Sequence, residues 1–223
     1  MKRIALVQQK GGAAKTTLCV HLAVAAEQDG RKTAIIDIDP QASASYVWRG
    51  ARGGKAPPVA SVIAAELRDA LEAARSDGYQ MVFIDTPPHT APAIEVVAQS
   101  IDLALVPVQP SIVDVAATQA TLALLRANRV AAAAVMTRAA ARTDEEMLET
   151  ERALAALGLP LLMTRVIERK VYRRALTQGQ AVGEFDPSSK AAREIRALWR
   201  ELDGLDTADV EIAPKELAQR EAV

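Results

Sequence analysis

The chain has 223 residues, half of them hydrophobic but only 3% aromatic, and its formal net charge is −1. This length suits one α/β domain with a large aliphatic core, and the near-neutral charge excludes a globally basic nucleic-acid-binding protein, so that any DNA contact needs a local basic patch. The single cysteine, Cys19, excludes a disulfide framework or a cysteine-pair metal site, and the apolar stretches are too short to span a bilayer.

The first predicted strand, residues 4–7, runs into a loop of small residues and then into a helix. Small residues let an anion approach the backbone N–H groups at a helix N-terminus. Lys15 can then reach terminal phosphates, and the Thr16 hydroxyl can ligate Mg²⁺. The segment predicts a nucleoside triphosphate site, and the alternative is an ordinary turn with a solvated lysine. The residues expected to contact the nucleotide here are Lys10, Gly11, Gly12, Ala13, Ala14, Lys15, Thr16 and Thr17.

Two acidic turns follow the next buried strands, residues 33–36 and 81–84. We expect Asp85 to hold Mg²⁺ directly or through water, and Asp37 and Asp39 to be further metal ligands. Asp39 is also the residue expected to orient an attacking water. The alternatives are a strand-end aspartate that caps the next turn at position 85 and a simple turn at 37–40.

The segments between these motifs have weaker signals. Residues 49–58 are rich in Gly, Arg and Pro and predict an exposed loop. Ser61 is predicted to cap a helix, and Ser111 with Asp114 is predicted to form a capping box after the strand at 103–108.

The second half of the chain continues the alternation of strands and helices. This pattern predicts a single α/β domain at 1–203, with one doubly wound, mostly parallel sheet and helices on both faces. Residues 204–223 are expected to form a loosely packed or frayed tail. The predicted elements are a strand at 130–136, a helix at 145–157, a short strand at 161–164 and an amphipathic helix at 188–202.

Ligands of such sheets bind at the carboxyl ends of the strands. Thr137 and Arg138 follow the strand at 130–136, and a guanidinium there can stack on a nucleotide base. Ile167 and Glu168 are expected to close the other side of the base through backbone contacts. A plain surface loop is the alternative.

Two basic clusters can contact DNA phosphates. For either cluster alone a solvated helix face is the favoured interpretation, although a dimer would double the patch. The clusters contain Arg169, Lys170, Arg173 and Arg174, and then Lys190, Arg193 and Arg196.

Three motifs together resemble the ParA/MinD family of deviant Walker ATPases: the loop at 10–17, the Asp37-Ile38-Asp39-Pro40-Gln41 turn and residues 84–88. Residues 106–111, Gly179 and residues 184–187 also fit, and the resemblance extends to about residue 203. It is closest to the small ParA-type partition proteins, and it implies a P-loop fold that binds ATP and Mg²⁺.

The resemblance also implies roles for particular residues. Lys15 and Thr16 match the phosphate-loop lysine and the magnesium threonine, Asp39 the hydrolytic aspartate and Asp85 the Walker B aspartate. Lys10, which has no obvious role within one chain, matches the signature lysine that crosses to the partner's nucleotide in an ATP-dependent sandwich homodimer.

Family partners are implied in the same way. The resemblance implies non-specific DNA binding by the dimer and a ParB-like or other cargo adaptor that stimulates slow hydrolysis. The C-terminal residues, considered below, predict no membrane partner. We therefore expect a cytoplasmic, nucleoid-associated protein.

Position 14 departs from the family pattern, because Ala14 stands where the family has glycine. If the backbone there has a positive φ, alanine costs roughly 1 kcal/mol or more in strain. We expect nucleotide still to bind, with slower hydrolysis or weaker dimerisation.

Two other function classes compete. A membrane-cycling ATPase of the MinD kind needs a basic amphipathic C-terminal helix, whereas residues 213–223 mix both charges and have little bulky apolar surface. The other class is a metabolic P-loop enzyme or a metal-cluster ATPase, and the absence of a cysteine pair argues against the cluster type.

Overall fold

The structure is a computed structural model that describes residues 1–41, 44–88, 91–142 and 145–212. Within these ranges, seven strands form one sheet in which every pairing is parallel. The strands are β1 (Lys2–Leu6), β2 (Thr33–Asp37), β3 (Val59–Ser61), β4 (Met81–Asp85), β5 (Leu103–Val108), β6 (Ala132–Ala139) and β7 (Val166–Ile167). Their order across the sheet is β3-β2-β4-β1-β5-β6-β7, which confirms the predicted fold class.

Helices cover both faces of the sheet. A π-helical turn at Ala44–Trp48 and 3₁₀ turns at Ala64–Glu66 and Thr207–Val210 complete the described elements. The α-helices are α1 (Lys15–Gln28), α2 (Arg49–Arg52), α3 (Leu67–Ser76), α4 (Ala91–Ala98), α5 (Ile112–Ala127), α6 (Glu145–Ala156), α7 (Lys170–Thr177), α8 (Val182–Phe185) and α9 (Lys190–Asp203).

Two cores lie on opposite faces because successive strand residues point in opposite directions. In β1, Ile4 and Leu6 pack with α1, α7, α8 and α9, whereas Ala5 packs with α3, α4, α5 and α6. Both faces are covered, so the strands are continuous apolar runs.

The sheet order brings the acidic turns to the phosphate loop. Strand β1 lies between β4 and β5, and β4 also pairs with β2. Leu6 is in register with Asp85, and Asp85 is in register with Asp37. The segments that follow β1, β2 and β4 therefore begin side by side at one edge of the sheet.

The strands predicted at 33–36, 81–84 and 103–108 are confirmed, the first two with an aspartate added at the end. The strand predicted at 130–136 begins and ends later, so Thr137 and Arg138 lie within β6 and do not follow it.

The predicted strand at 161–164 is wrong. Leu161 makes only an isolated bridge with Ala134. Met163 is 93% exposed, and the backbone N–H of Met163 donates to the Glu201 carboxylate. The Glu201 side chain thus takes the place of a neighbouring strand as the acceptor for this N–H group. The strand β7 forms later, at Val166–Ile167.

The exposed loop predicted at 49–58 is confirmed in part, because most of its residues are exposed. The segment nevertheless contains helix α2 and the buried side chain of Arg52. The Arg52 guanidinium donates to both carboxylate oxygens of Glu184 at 2.9 and 3.0 Å and to the Gly179 carbonyl oxygen at 2.9 Å. It also lies 4.4 Å from the Trp48 ring centroid. Such a bidentate pair is strong enough to order a segment of poor intrinsic propensity.

Predicted helix starts have mixed outcomes. Ser61 is not a cap, since it ends β3 in register with Asp37. Ser111 caps α5 by accepting a hydrogen bond from the Val113 N–H at 3.3 Å. Asp114 does not complete a capping box, because its carboxylate pairs with Lys10.

The helices predicted at 145–157 and 188–202 are present as α6 and α9, within two residues at each end. Ser189 caps α9 by accepting from the Ala192 N–H at 3.1 Å.

The tail expected from residue 204 is packed over its described part. Val210 and Ile212 are buried in the two cores, so loose packing is a wrong prediction for 204–212. Residues 213–223, including the segment on which the membrane alternative depends, lie outside the described residues. In the part of the chain that the structure describes, no helix has the length and apolar character needed to cross a bilayer.

Gly179 should be intolerant of a side chain. Its φ is +67°, and an added Cβ would lie 2.4 Å from the Ala51 carbonyl carbon and from the Arg52 backbone nitrogen. Gly179→Ala is expected to lower the free energy of unfolding by about 3 kcal/mol, as measured by urea denaturation.

Gly54→Ala is the matched control, because Gly54 has a φ of +79° but no neighbouring atom within 4 Å of the added Cβ. It should cost only about 1 kcal/mol from backbone strain. Equal losses for the two variants would contradict the close contact with α2.

Candidate functional site

The carbonyl groups of residues 12–14, in the loop between β1 and α1, all accept hydrogen bonds. The Gly12 carbonyl accepts from the Gln109 side chain at 3.2 Å, the Ala13 carbonyl from the Thr137 hydroxyl at 3.3 Å, and the Ala14 carbonyl from the Leu18 N–H at 2.9 Å. Among the described residues, the N–H groups of residues 11–14 make no hydrogen bond of normal geometry. A run of free amides of this kind is an anion-binding nest.

Position 14 has the strained backbone that the sequence raised as a possibility. Ala14 has φ 72° and ψ 25° and is the N-cap of α1. Gly12, two residues earlier, also has a positive φ, of 78°. The left-handed conformation is therefore part of the loop, and alanine adopts it against its own preference.

The N-terminus of α1 is open to an anion, because no side chain of the described residues caps it and its first turn has no acidic residue. Lys15 is the first residue of the helix, and its ammonium donates to the Gln8 carbonyl at 2.9 Å. Burial lowers the pKa of Lys15, while Asp85 and Asp39 oppose that shift. The lysine thus lies between the loop and the acidic turns.

Asp85 is a buried carboxylate, and neither of its oxygens has a hydrogen-bond partner of normal geometry among the described residues. Burial raises its pKa to about 7, with further increases from Asp37 and Asp39, whereas the nearby Thr16 hydroxyl and the charge of Lys15 lower it. A bound cation would relieve the cost of this ionised group.

The four predicted metal ligands, Thr16, Asp37, Asp39 and Asp85, lie close enough for the three carboxylates to influence each other. Within the described residues, however, no group of three or more His, Cys, Asp or Glu side chains is arranged to hold a metal. An ion here would rely on one or two protein oxygens together with water and phosphate. Mg²⁺ accepts this arrangement, so the residues fit it.

Asp37 and Asp39 shape the turn after β2. One carboxylate oxygen of Asp37 accepts from the Asp39 N–H at 3.0 Å, and one of Asp39 accepts from the Gln41 N–H at 2.9 Å. Asp39 is half-buried, and its charge acts on both Lys15 and Asp85. The turn and a role near the phosphates are compatible.

A cleft opens beside the phosphate loop, and the predicted base-contacting residues meet there. Arg138, with a φ of 50°, forms an ion pair with Glu168 at 3.4 Å across the cleft. The Thr137 hydroxyl supports the loop at Ala13. The cleft is lined by Ala14, Thr17, Leu18, Thr137, Arg138, Val166, Ile167, Glu168, Arg169, Tyr172 and Arg173.

Gln8 is a residue of the site that the sequence reading missed. It is fully buried, and its side-chain amide donates to the Thr118 hydroxyl at 3.0 Å and to the Pro107 carbonyl at 3.3 Å. The available signal was a polar residue that directly follows an apolar strand and precedes the phosphate loop. Tyr172 and Arg173 of the cleft were hidden within a basic run.

Lys10 does not point towards the loop's free amides in the single chain. Its ammonium forms an ion pair with Asp114 in the first turn of α5.

The predicted DNA-contacting residues are not equally available. Arg169 is paired with Glu194 at 2.6 Å, and Arg196 donates to the Pro187 carbonyl at 3.0 Å. The side chains that remain exposed are Lys170, Arg173, Arg174, Lys190 and Arg193.

Comparison with known proteins identifies the family. Residues 4–183 match the family described as the CobQ/CobB/MinD/ParA nucleotide binding domain. A relative from Gloeobacter kilaueensis, maintenance of carboxysome distribution protein A, is 32% identical over 88% of this chain and 90% of its own length. The chromosome-partitioning ATPase Soj of Thermus thermophilus is 29% identical over 91% of this chain and 95% of its own.

A similar solved structure is the septum site-determining protein MinD of Pyrococcus horikoshii in complex with Mg-ADP. It has a TM-score of 0.76 at 21% identity and covers 91% of this chain and 96% of its own. This likeness supports the fold.

Replacing Ala14 with glycine should relieve the strained loop. Ala14→Gly is expected to raise the free energy of unfolding by up to about 1 kcal/mol and to increase the rate of ATP hydrolysis, because the methyl group leaves the edge of the cleft. Chemical denaturation and phosphate release measure the two effects.

Ala13→Gly is the control, since Ala13 is not among the residues with positive φ. It should lower stability through added chain entropy. A hydrolysis rate for Ala14→Gly equal to or below that of the parent protein would reject the prediction.

The partnerless Asp85 carboxylate should make the metal- and nucleotide-free protein less stable as the pH rises. Its pKa of about 7 in the folded state exceeds the ordinary value of 3.8. Between about pH 4 and pH 7 the carboxyl group is therefore protonated in the folded state and ionised in the unfolded state. Asp85→Asn should therefore stabilise the protein by roughly 3–4 kcal/mol above pH 7, and this gain should vanish towards pH 4.

Asp102→Asn is the control, because it should change the free energy of unfolding in the opposite direction in the same denaturation experiments. Burial raises the pKa of Asp102, but hydrogen bonds from Arg3 outweigh that effect and lower it overall. This variant should be destabilised above about pH 4, with the loss shrinking at lower pH. A gain for Asp85→Asn that does not vary with pH would show that Asp85 is not held in an unfavourable ionised state.

Proposed function

This chain belongs to the CobQ/CobB/MinD/ParA nucleotide-binding family, and we propose that it is an ATPase that pairs into a sandwich dimer with ATP, binds DNA without sequence preference and positions a large cargo. An adaptor protein that carries the cargo would stimulate hydrolysis and release the dimer. The free amides at residues 11–14 are the observation that carries the nucleotide part of this proposal.

The phosphates would lie against these amides and the open N-terminus of α1, with Lys15 leaving the Gln8 carbonyl to meet them. Thr16 and Asp85 would hold Mg²⁺, which supplies neutralisation of phosphate charge when bound. The complex of the Pyrococcus MinD with Mg-ADP supports this choice of ligand by analogy. The base would enter the cleft between Arg138 and Glu168, where the guanidinium can stack on it.

Hydrolysis would depend on placement of a water molecule. Asp39 is half-buried beside Lys15 and Asp85, and its remaining acceptor capacity can orient that water. In-line placement and charge neutralisation are sufficient for phosphoryl transfer, so no unusual base is needed.

Lys10 would act on the nucleotide of the partner subunit. Its place at the start of the loop and its half-exposed ammonium suit a cation donated in trans. Such a cation offsets transition-state charge, as an arginine finger does.

DNA binding would use the exposed basic side chains of α7 and α9. Lys170, Arg173 and Arg174 lie on α7, and Lys190 and Arg193 lie on α9. A chain with a net charge of −1 binds DNA weakly unless two such patches act together. Pairing with ATP would therefore switch DNA binding on, and the dimer would associate with the nucleoid.

The relatives act on different cargoes, since one maintains carboxysome distribution and another partitions chromosomes. We propose the shared chemistry, which is movement over DNA through a cycle of dimerisation and hydrolysis, with a ParB-like or other adaptor. The similarity to MinD concerns the fold and does not favour membrane cycling.

Removing the Lys10 ammonium should separate ATP binding from pairing. Lys10→Ala is expected to bind ATP within about twofold of the parent protein, to remain monomeric with ATP and Mg²⁺, and to lose at least about a hundredfold in stimulated hydrolysis. Calorimetry, sedimentation and a gel shift on a random-sequence duplex measure binding, pairing and DNA association.

Lys32→Ala is the control lysine, because Lys32 lies over the Tyr79 ring, outside the candidate site. It should retain an ATP-dependent gel shift that weakens steeply between about 50 and 200 mM salt. A shift of the parent protein that is indifferent to ATP would reject nucleotide-controlled DNA binding, and an absence of heat on mixing with ATP would reject the function as a whole.

A further inference from the structure

The ion pair between Lys10 and Asp114 joins the phosphate loop to helix α5. The Lys10 side chain is 34% exposed, whereas the Asp114 side chain is only 3% exposed. One carboxylate oxygen of Asp114 meets the ammonium, and the other has no hydrogen-bond partner among the described residues. Lys10 is therefore the cation that compensates this buried charge.

Asp114 is held in place at the start of α5. It is in the first turn of α5, where the helix dipole stabilises an anion. Its backbone carbonyl accepts from the Thr118 hydroxyl at 2.8 Å, so its position on the helix is anchored. The carboxylate is thus a fixed acceptor, and the flexible lysine is the group that can leave.

Gln8 connects this pair to the phosphate site. Its carbonyl accepts the Lys15 ammonium, while its side-chain oxygen accepts from the Lys10 N–H at 3.4 Å and from the Thr121 hydroxyl of α5 at 3.2 Å. A phosphate that draws Lys15 away from Gln8 would therefore disturb the residue that also fixes the backbone of Lys10.

The surface beside the pair is open. Ile112 and Val113 precede Asp114 on α5, and each is 63% exposed. A second copy of the chain could therefore approach the start of α5 without displacing another element of the first copy.

We infer that Asp114 is a positioning residue that retains Lys10 within its own subunit and so sets the ATP requirement for pairing, an inference that rests on the proposed role of Lys10 in the dimer. In this proposal, the movement of Lys10 to the partner's nucleotide draws its ammonium away from Asp114. Pairing must break this contact, and the orphaned carboxylate opposes that break.

The direct test measures the accessibility of Lys10 in the nucleotide-free monomer. Amine acetylation, read by mass spectrometry, should label Lys10 about threefold to tenfold faster in Asp114→Asn than in the parent protein. Exposed Lys32 serves as the reference within the same sample, and its labelling rate should not change. Equal labelling of Lys10 in the two proteins would overturn the inference.

The second readout is pairing with ATP. Asp114→Asn should dimerise about tenfold more tightly at saturating ATP, as measured by sedimentation, while its affinity for ATP stays within about twofold. Asp114→Glu retains the charge and should stay near the parent protein. Asp203→Asn removes a carboxylate that pairs with Arg31 outside the site and should have no effect. Weaker pairing of Asp114→Asn would overturn the inference, because it would mean that Asp114 only supports the loop.

The inference can still be tested if the Asp114→Asn variant does not fold or if the parent protein does not dimerise. If Asp114→Asn does not fold, labelling of the parent protein in low and high salt replaces it: Lys10 labelling should rise with salt relative to Lys32, and a constant ratio would overturn the inference. If ATP fails to dimerise the parent protein, the proposed function is rejected, and the labelling result alone decides whether Asp114 retains Lys10.

Discussion

The hydrogen bonding of the carbonyl groups at residues 12–14 is the constraint on which the site depends. Each carbonyl is occupied by a different element: Gln109 after β5, Thr137 in β6 and Leu18 in α1. Since a peptide unit is planar, a carbonyl fixed on one side leaves the neighbouring N–H on the other. The bonds to the Gly12 and Ala13 carbonyls thus leave the N–H groups of Ala13 and Ala14 facing away from them, and the Ala14 carbonyl begins the hydrogen bonding of α1. The strained backbone of Ala14 is maintained by the same contacts.

The parts of the fold that could be read from the sequence are those in which local pattern and tertiary environment agree. Continuous apolar runs such as 103–108 can only be buried strands in a sheet with two covered faces. Loop 10–17 carries its signal in small residues and a lysine, and Asp85 follows a strand directly. Their meeting follows from strand order, which alternation of elements predicts in general terms.

The errors arise where a distant side chain decides the local structure. Arg52 is buried because Glu184 and Gly179, far along the chain, receive its guanidinium, and no pattern within 49–58 encodes that contact. Asp114 has the spacing of a capping residue, but its carboxylate is used by Lys10. Likewise Arg169 belongs to a dense basic run, yet Glu194 pairs with it and removes most of its contribution to the surface field. A run of positive charge in a sequence is therefore not equivalent to positive charge on a surface.

The pair between Arg52 and Glu184 links two segments with different neighbours. Arg52 belongs to the stretch that follows the Asp39 turn, whereas Glu184 belongs to α8, which packs between α7 and α9. Because the guanidinium donates hydrogen bonds to both the carboxylate and the Gly179 carbonyl, the two segments are expected to move together. A movement of the acidic turn on nucleotide exchange would therefore be transmitted through Arg52 to α8. From α8 it would reach α7 and α9, the helices that carry the exposed basic side chains.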